Sequence, residues 1–294
     1  MATPAELAAM RRAISLAALG LGTTSPNPPV GCVILDRHGV VVGEGFHERK
    51  GEAHAEAHAL AMAGDRARGG TAVVTLEPCN HFGRTPPCRK LLIEVGIARC
   101  VIAVIDPTSR EEGGAARLRA AGVDVEVGVL ADEAELVLGP WLRALRTGRP
   151  FVSWASLAEV EGGRSSLPDP LLVEVRASFD AVLAEDGQVF EGVPGGHGPG
   201  MVELDGLADG GSPADLLASL HRAGVRSAVL NYSETKAASF LAAGLVDQVL
   251  VYLPARPAGG GGLGFGPEEF IPALYELRDV RKTNGFVILR AERA

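Results

Sequence analysis

The stretch AHAEAHALAMAGDRARGGTAVVTLEPC, residues 53–79, decides how the chain is read. Its first part, Ala53 to Ala63, places apolar residues at helical spacing, and its last, Thr71 to Leu76, is a β-branched run of the length of one buried strand. A helix therefore leads into a strand. The alternation extends in both directions. Upstream, Pro4 to Gly20 is helical, and Val30 to Leu35 and Val40 to Gly45 read as strands around a turn at Asp36 to Gly39. Downstream, Arg89 to Val95 and Ala115 to Ala121 read as helices, Cys100 to Ile105 and Val123 to Val127 as strands, and Asp132 to Leu145 as a closing helix. The expectation is a layered α/β domain with a largely parallel sheet.

Thr147-Gly148-Arg149-Pro150 marks a boundary, because a helix ends at glycine and proline forbids its continuation. Two domains, 1–147 and 148–294, suit a chain of 294 residues. In the second, Phe151 to Ala155, Ala181 to Ala184, Ser227 to Asn231, Gln248 to Leu253 and Phe286 to Arg290 read as strands, with helices at Pro213 to Ala223 and Ser233 to Ala243. Gly192 to Gly211 and Pro257 to Pro267 read as loops. No run is long and apolar enough for a membrane span, and the N-terminus has no secretory pattern, so a cytoplasmic location is expected. Residues 1–147 carry 16 basic and 17 acidic side chains against 12 and 19 in the remainder. Neither half has the basic excess of a nucleic-acid-binding surface.

Four cysteines, Cys32, Cys79, Cys88 and Cys100, are too few for a disulfide framework in a chain this long. Two of them fall in a pattern with chemical content. His54-Ala55-Glu56 at a helix start, a strand, Pro78-Cys79 and then Cys88 follow the order found in zinc nucleobase deaminases, although eight residues separate the cysteines where two are usual. A catalytic zinc takes three protein ligands and keeps a fourth position open, and His54, Cys79 and Cys88 supply three. Two thiolates offset the charge of the ion, so water there needs a nearby base, and Glu56 is that base. Residues i and i+2 point to different sides of a helix, so His54 and Glu56 serve one centre only if the helix aims its N-terminus at it. A pairing of His54 with His58 at i and i+4 would leave the cysteines unexplained. His58 is expected to pack behind the site, and Cys32 and Cys100 to pack in the core.

The run Thr75 to Cys88, with Asn27-Pro28 upstream and Asp106-Pro107 downstream, closely resembles the deaminase half of the bifunctional riboflavin-biosynthesis deaminase/reductase family. The resemblance covers residues 1 to about 147 and implies a three-layer cytidine deaminase-like domain. It implies hydrolytic removal of an amine from 2,5-diamino-6-(5-phosphoribosylamino)pyrimidin-4-one, with His54, Cys79 and Cys88 on zinc and Glu56 moving protons. It also implies substrate contacts at Asn27, His47, His81 and Arg84. Thr108 stands where the family usually has Asn.

From Arg149-Pro150-Phe151-Val152 the chain begins like that family's dihydrofolate reductase-like α/β domain, then departs. Ala155 occupies the position of a family lysine, Glu159-Val160-Glu161-Gly162 replaces Ser-Leu-Asp-Gly, and Leu230-Asn231-Tyr232-Ser233 replaces a glycine-rich turn, while Ala243 to Asp247 still matches. Gly259, Gly261 and Gly264 fit G-x-G-x-x-G, but inside a run of glycines with no helix following. The reading is a shortened, degenerate reductase-like domain that does not bind NADPH but keeps a homodimer interface, with a separate enzyme performing the reduction. Two alternatives stand beside it: a deaminase of the same fold acting on another heterocycle in secondary metabolism, and a non-catalytic zinc-stabilised scaffold.

Overall fold

The computed structural model describes all residues except 81–85, 110–111, 160–161, 199–201, 203, 205–210, 255–269 and 284. The chain divides into two compact units, Met1–Leu142 and Arg143–Ala294.

The first unit contains α1 (Pro4–Ala17), β1 (Gly31–Leu35), β2 (Val41–Phe46), α2 (Ala55–Ala63), β3 (Thr71–Leu76), α3 (Cys88–Val95), β4 (Arg99–Val104), α4 (Gly113–Ala120) and β5 (Asp124–Val127), and the division falls inside α5 (Ala131–Thr147). Helix α1 starts where its sequence says it should. Thr3 accepts from the Glu6 amide, Glu6 reaches back to the Thr3 amide, and Pro4 fits the first turn. The sheet order is β2-β1-β3-β4-β5. It is mixed, unlike the largely parallel sheet expected. β1 runs antiparallel to β2 and β3, and β3, β4 and β5 run parallel. A tight hairpin imposes the antiparallel pair: Asp36 Oδ1 accepts from the His38 and Val40 amides, and Gly39 turns the chain at positive φ.

Side chains alternate across this sheet. Cys32, Ile34, Val74, Cys100 and Ile102 face Ala55, Ala59, Leu92 and Leu118 from α2, α3 and α4. Helix α1 lies close on the sheet: a Cβ at Gly31 would meet the Ala13 carbonyl at 2.0 Å. Helix α2 lies as close to β2, where a Cβ at Gly43 would meet the Ala59 carbonyl at 2.0 Å and one at Gly45 the Ala55 carbonyl at 2.5 Å. Glycines in β1 and β2 thus set how near the helices come, and Gly45 sets the height of the first turn of α2.

The second unit contains β6 (Phe151–Ala158), β7 (Arg164–Ser165), α6 (Asp169–Arg176), β8 (Ala181–Ala184), β9 (Val189–Glu191), α7 (Pro213–Arg222), β10 (Ser227–Asn231), α8 (Glu234–Ala242), β11 (Gln248–Pro254), β12 (Tyr275–Thr283) and β13 (Phe286–Arg293). The strand order is β12-β13-β11-β6-β10-β8-β9, with β7 on β6, and β11, β6, β10 and β8 run parallel. One face packs Val152, Trp154 and Leu230 against Leu217, Leu220 and Phe240 of α7 and α8. The other packs Ala155, Val182 and Val229 against Leu171, Leu172 and Val175 of α6. Buried Asp247 accepts from Arg143, from Arg149 and from the Val152 amide. Strand β12 and helix α6 are absent from the sequence reading. The first is polar, and the second starts at Asp169-Pro170 and is only eight residues long, too short to show a period.

The glycine pattern at Gly259, Gly261 and Gly264, with the whole of the loop expected at 257–267, lies outside the described residues. Among the described residues, no helix is long and apolar enough to cross a membrane.

Candidate active site

His54 is the residue before α2, with extended backbone (φ −76°, ψ 163°), and its carbonyl accepts from the Ala57 and His58 amides. Extended geometry lets its ring point off the end of the helix while Glu56, in the first turn, points from the same end. This is the geometry the i, i+2 spacing requires. Glu56 is 3% exposed, and burial raises its pKa. Cys79 follows β3 by three residues, and Cys88 is the first residue of α3. The Cys88 amide donates to Cys79 Sγ at 3.2 Å, and Cys88 Sγ lies 3.3 Å from His54 Nδ1. Ligand atoms of His54, Cys79 and Cys88 all lie within 4.8 Å of one another.

The electrostatics favour deprotonation of Cys79 and oppose it at Cys88. Hydrogen bonding from Cys88 lowers the Cys79 pKa to about 4 against the opposing effect of burial, with His54 adding to the lowering. The same hydrogen bond and burial push Cys88 up, and the bond to Cys79 raises His54. One imidazole nitrogen and two sulfurs, from half-buried His54 and Cys79 and buried Cys88, form a donor set that fits zinc, which in catalytic sites takes three protein ligands.

His47 is 3% exposed. Its ring meets that of His54 edge-on at 5.1 Å between centroids, and burial takes its pKa down to about 4. His47 Nδ1 lies 3.1 Å from the Ala53 carbonyl, and Nε2 lies 3.2 Å from Asn27 Nδ2. Asn27 is thereby tied to the His54 end of the site. His58 packs its Cβ close to Gly45, and its Nε2 is buried with no hydrogen-bond partner. Cys32 and Cys100 are buried in β1 and β4, where burial raises both thiols. Thr108 is exposed and donates its amide and hydroxyl to Asp106 Oδ1. His81 and Arg84 lie outside the described residues.

Sequence reasoning missed Glu77. Its buried carboxylate accepts from the Ala115 amide at 2.8 Å, in the first turn of α4, and from the Asp106 amide at 3.3 Å. Gly113 and Gly114 permit the approach, since Cβ atoms there would meet Glu77 Oε1 at 2.5 Å and the Pro78 carbonyl at 1.9 Å. The segment carrying Cys79 is thereby bound to α4 and to the chain after β4. A Gly-Gly pair at a helix start is the signal that could have found it.

Residues 4–104 match the cytidine and deoxycytidylate deaminase zinc-binding region. With the His54, Cys79 and Cys88 cluster, this places the first unit in the class of cytidine deaminase-like zinc-binding domains. Riboflavin biosynthesis protein RibD of Escherichia coli is 51% identical over 154 residues, which cover 52% of this chain and 42% of that protein. The diaminohydroxyphosphoribosylamino-pyrimidine deaminase of Buchnera aphidicola is 51% identical over 142 residues, covering 48% of this chain and 96% of the relative. A crystal structure of a diaminohydroxyphosphoribosylaminopyrimidine deaminase/5-amino-6-(5-phosphoribosylamino)uracil reductase from Thermotoga maritima covers 99% of both chains, with TM-score 0.79 and 26% identity. The chain belongs to the diaminohydroxyphosphoribosylaminopyrimidine deaminase family, and it spans less than half the length of the E. coli relative.

Proposed function

We propose that the chain hydrolyses 2,5-diamino-6-(5-phosphoribosylamino)pyrimidin-4-one to the pyrimidinedione and ammonia in riboflavin biosynthesis. The convergence of His54, Cys79 and Cys88 beside buried Glu56 carries this reading. Zinc held by His54 Nδ1 and the two thiolates would acidify a water in its remaining position. The Glu56 carboxylate takes a proton from the attacking water and delivers protons to the ring nitrogen and the departing amine. One water is consumed and one ammonia leaves. Burial helps Glu56 carry a proton between these steps, since it favours the neutral acid more than solvent would. Of the four contacts that the resemblance implies, Asn27, His81 and Arg84 are proposed to touch substrate, with Arg84 and His81 suited to the phosphoribosyl end, while His47, whose ring nitrogens face the Ala53 carbonyl and Asn27, is proposed to act behind Asn27. Ammonia release from this pyrimidinone, set against cytosine and guanine nucleosides, tests the reading; preference for either of the latter would reject it.

The second domain is proposed to have lost its reductase activity. Open α/β sheets bind ligands beyond the C-terminal ends of parallel strands. There, Glu185 accepts from the Ser233 amide at 2.7 Å and the Ser233 hydroxyl at 2.8 Å, so a carboxylate sits at the start of α8, where a cofactor phosphate would compete with it. Ala155, buried in β6, stands where the resemblance calls for a lysine. A separate reductase then acts on the product. Titration with NADPH tests this, and either tight binding or its oxidation by the deaminated product would reject it. The same reading has the chain working in the cytoplasm as a homodimer through residues 148–294, which sedimentation of the full chain tests.

A further inference from the structure

His47 and Asn27 carry more information than proximity to the site. The Ala53 carbonyl can only accept, so the 3.1 Å contact makes His47 Nδ1 the donor. On the far side of the ring Nε2 meets Asn27 Nδ2 at 3.2 Å, and an amide nitrogen can only donate, so Nε2 is the acceptor. With Nδ2 donating to His47, Oδ1 is turned away from it. Asn27 is anchored in its backbone as well. Its amide donates to the Thr24 carbonyl at 3.0 Å, and the preceding Pro26 carbonyl accepts from Trp141 Nε1 at 3.1 Å. Oδ1 receives no hydrogen bond from the described residues.

We infer that His47 is a positioning residue that locks the Asn27 amide with Oδ1 toward the substrate, so that the site selects a ring edge presenting an N–H donor. This rests on the deaminase reading for where the substrate lies. A pyrimidin-4-one has such an edge in its lactam N–H, beside the amine-bearing carbon. Cytosine has an unprotonated ring nitrogen beside its amine and would set acceptor against acceptor. An amide free to rotate would serve either ring, so the selectivity resides in the hydrogen bond from Asn27 to His47 and, one step back, in the Ala53 carbonyl. The chain from Ala53 O through His47 to Asn27 begins at the residue before His54, so the filter and the metal-facing end of α2 are in register by construction.

The test has two arms on the zinc-loaded full chain. Nitrogen-15 NMR of labelled histidine reads the His47 tautomer directly, and the inference requires Nδ1–H; an Nε2–H tautomer overturns it whatever the activity. The second arm compares kcat/KM for the pyrimidinone and its 4-methoxy analogue, whose ring N3 carries no proton and is an acceptor. The wild type is expected to discriminate by on the order of 100-fold, because the analogue leaves Oδ1 unpaired. In His47→Leu the discrimination falls below about 10-fold as Asn27 becomes free to rotate, and His47→Gln, which can donate to Ala53 O and accept from Asn27, restores it. Undiminished discrimination in His47→Leu, or an equal loss on both substrates in both variants, overturns the inference. If the wild type releases no ammonia from the pyrimidinone, the proposed function fails, and the tautomer alone decides the role of His47.

Discussion

Replacing Gly45 by alanine perturbs the active site from behind, through the backbone of α2. The added Cβ would lie 2.5 Å from the Ala55 carbonyl oxygen, 2.6 Å from His58 Cβ and 2.7 Å from the Ala59 amide nitrogen. Two of these are backbone atoms of one helix, so no rotamer change relieves the clash. Restoring ordinary contact at about 3.4 Å requires the first turn of α2 to retreat from β2 by about 0.9 Å. Overpacking of this kind costs roughly 1–3 kcal/mol in stability. The functional loss should be larger than that destabilisation suggests, because the displaced turn carries His54 at its head and Glu56 within it. A misplacement near 1 Å can lower turnover by on the order of 100-fold. Gly43→Ala supplies the comparison, since its Cβ would strike the Ala59 carbonyl at 2.0 Å and Ala63, in the distal half of α2. It should destabilise at least as much and harm turnover less. Urea unfolding, zinc content and kcat for ammonia release, measured on both variants, decide the matter. Wild-type kcat in Gly45→Ala, or a greater loss of kcat in Gly43→Ala, would refute the reasoning.

Three further outcomes are expected. Glu77→Ala leaves the Ala115 and Asp106 amides without their acceptor and should lower stability by roughly 1–3 kcal/mol in urea unfolding, while Glu77→Gln, which keeps one carbonyl oxygen, should lose less. His197 sits between Asp180 and Glu191 at 3.1 Å from each; burial opposes its charge, but the two carboxylates outweigh burial and raise its pKa above 6.5. A raised pKa means that its stabilisation is complete below about pH 6.5 and is lost as pH climbs through the folded value, so unfolding of the wild type should become easier over that range and His197→Ala should flatten the dependence. Cys79→Ser and Cys88→Ser should each abolish stoichiometric zinc, read by metal analysis, and Cys32→Ser should not.

Much of the site is legible in the sequence because zinc chemistry restricts residue types and order. His54, Glu56, Cys79 and Cys88 can be named from spacing, and even the requirement that a helix N-terminus face the site follows from His and Glu standing two apart. Long periodic elements such as α1 and β3 are legible for the same kind of reason. What spacing does not carry is contact across the chain. Nothing local links Glu77 to Ala115, 38 residues on, or Asn27 to His47, because those contacts exist only once strands have paired. The turn at Asp36 that reverses β1 into β2 is legible, but the sense of the sheet as a whole is not, because alternation of helix and strand suggests parallel crossovers whereas β3 pairs antiparallel with β1. The polar strand β12 hides for a further reason. Its stability comes from pairing with β13, not from a buried face of its own.

The account rests most directly on Glu56 as the proton carrier beside the bound metal. Metal analysis and ammonia release should be measured together on the wild type and on Glu56→Gln, with the pyrimidinone as substrate. The account predicts unchanged zinc content and a kcat lower by about 10²–10⁴-fold, the usual contribution of general acid–base catalysis. A Glu56→Gln protein that holds zinc and turns over at the wild-type rate would contradict it.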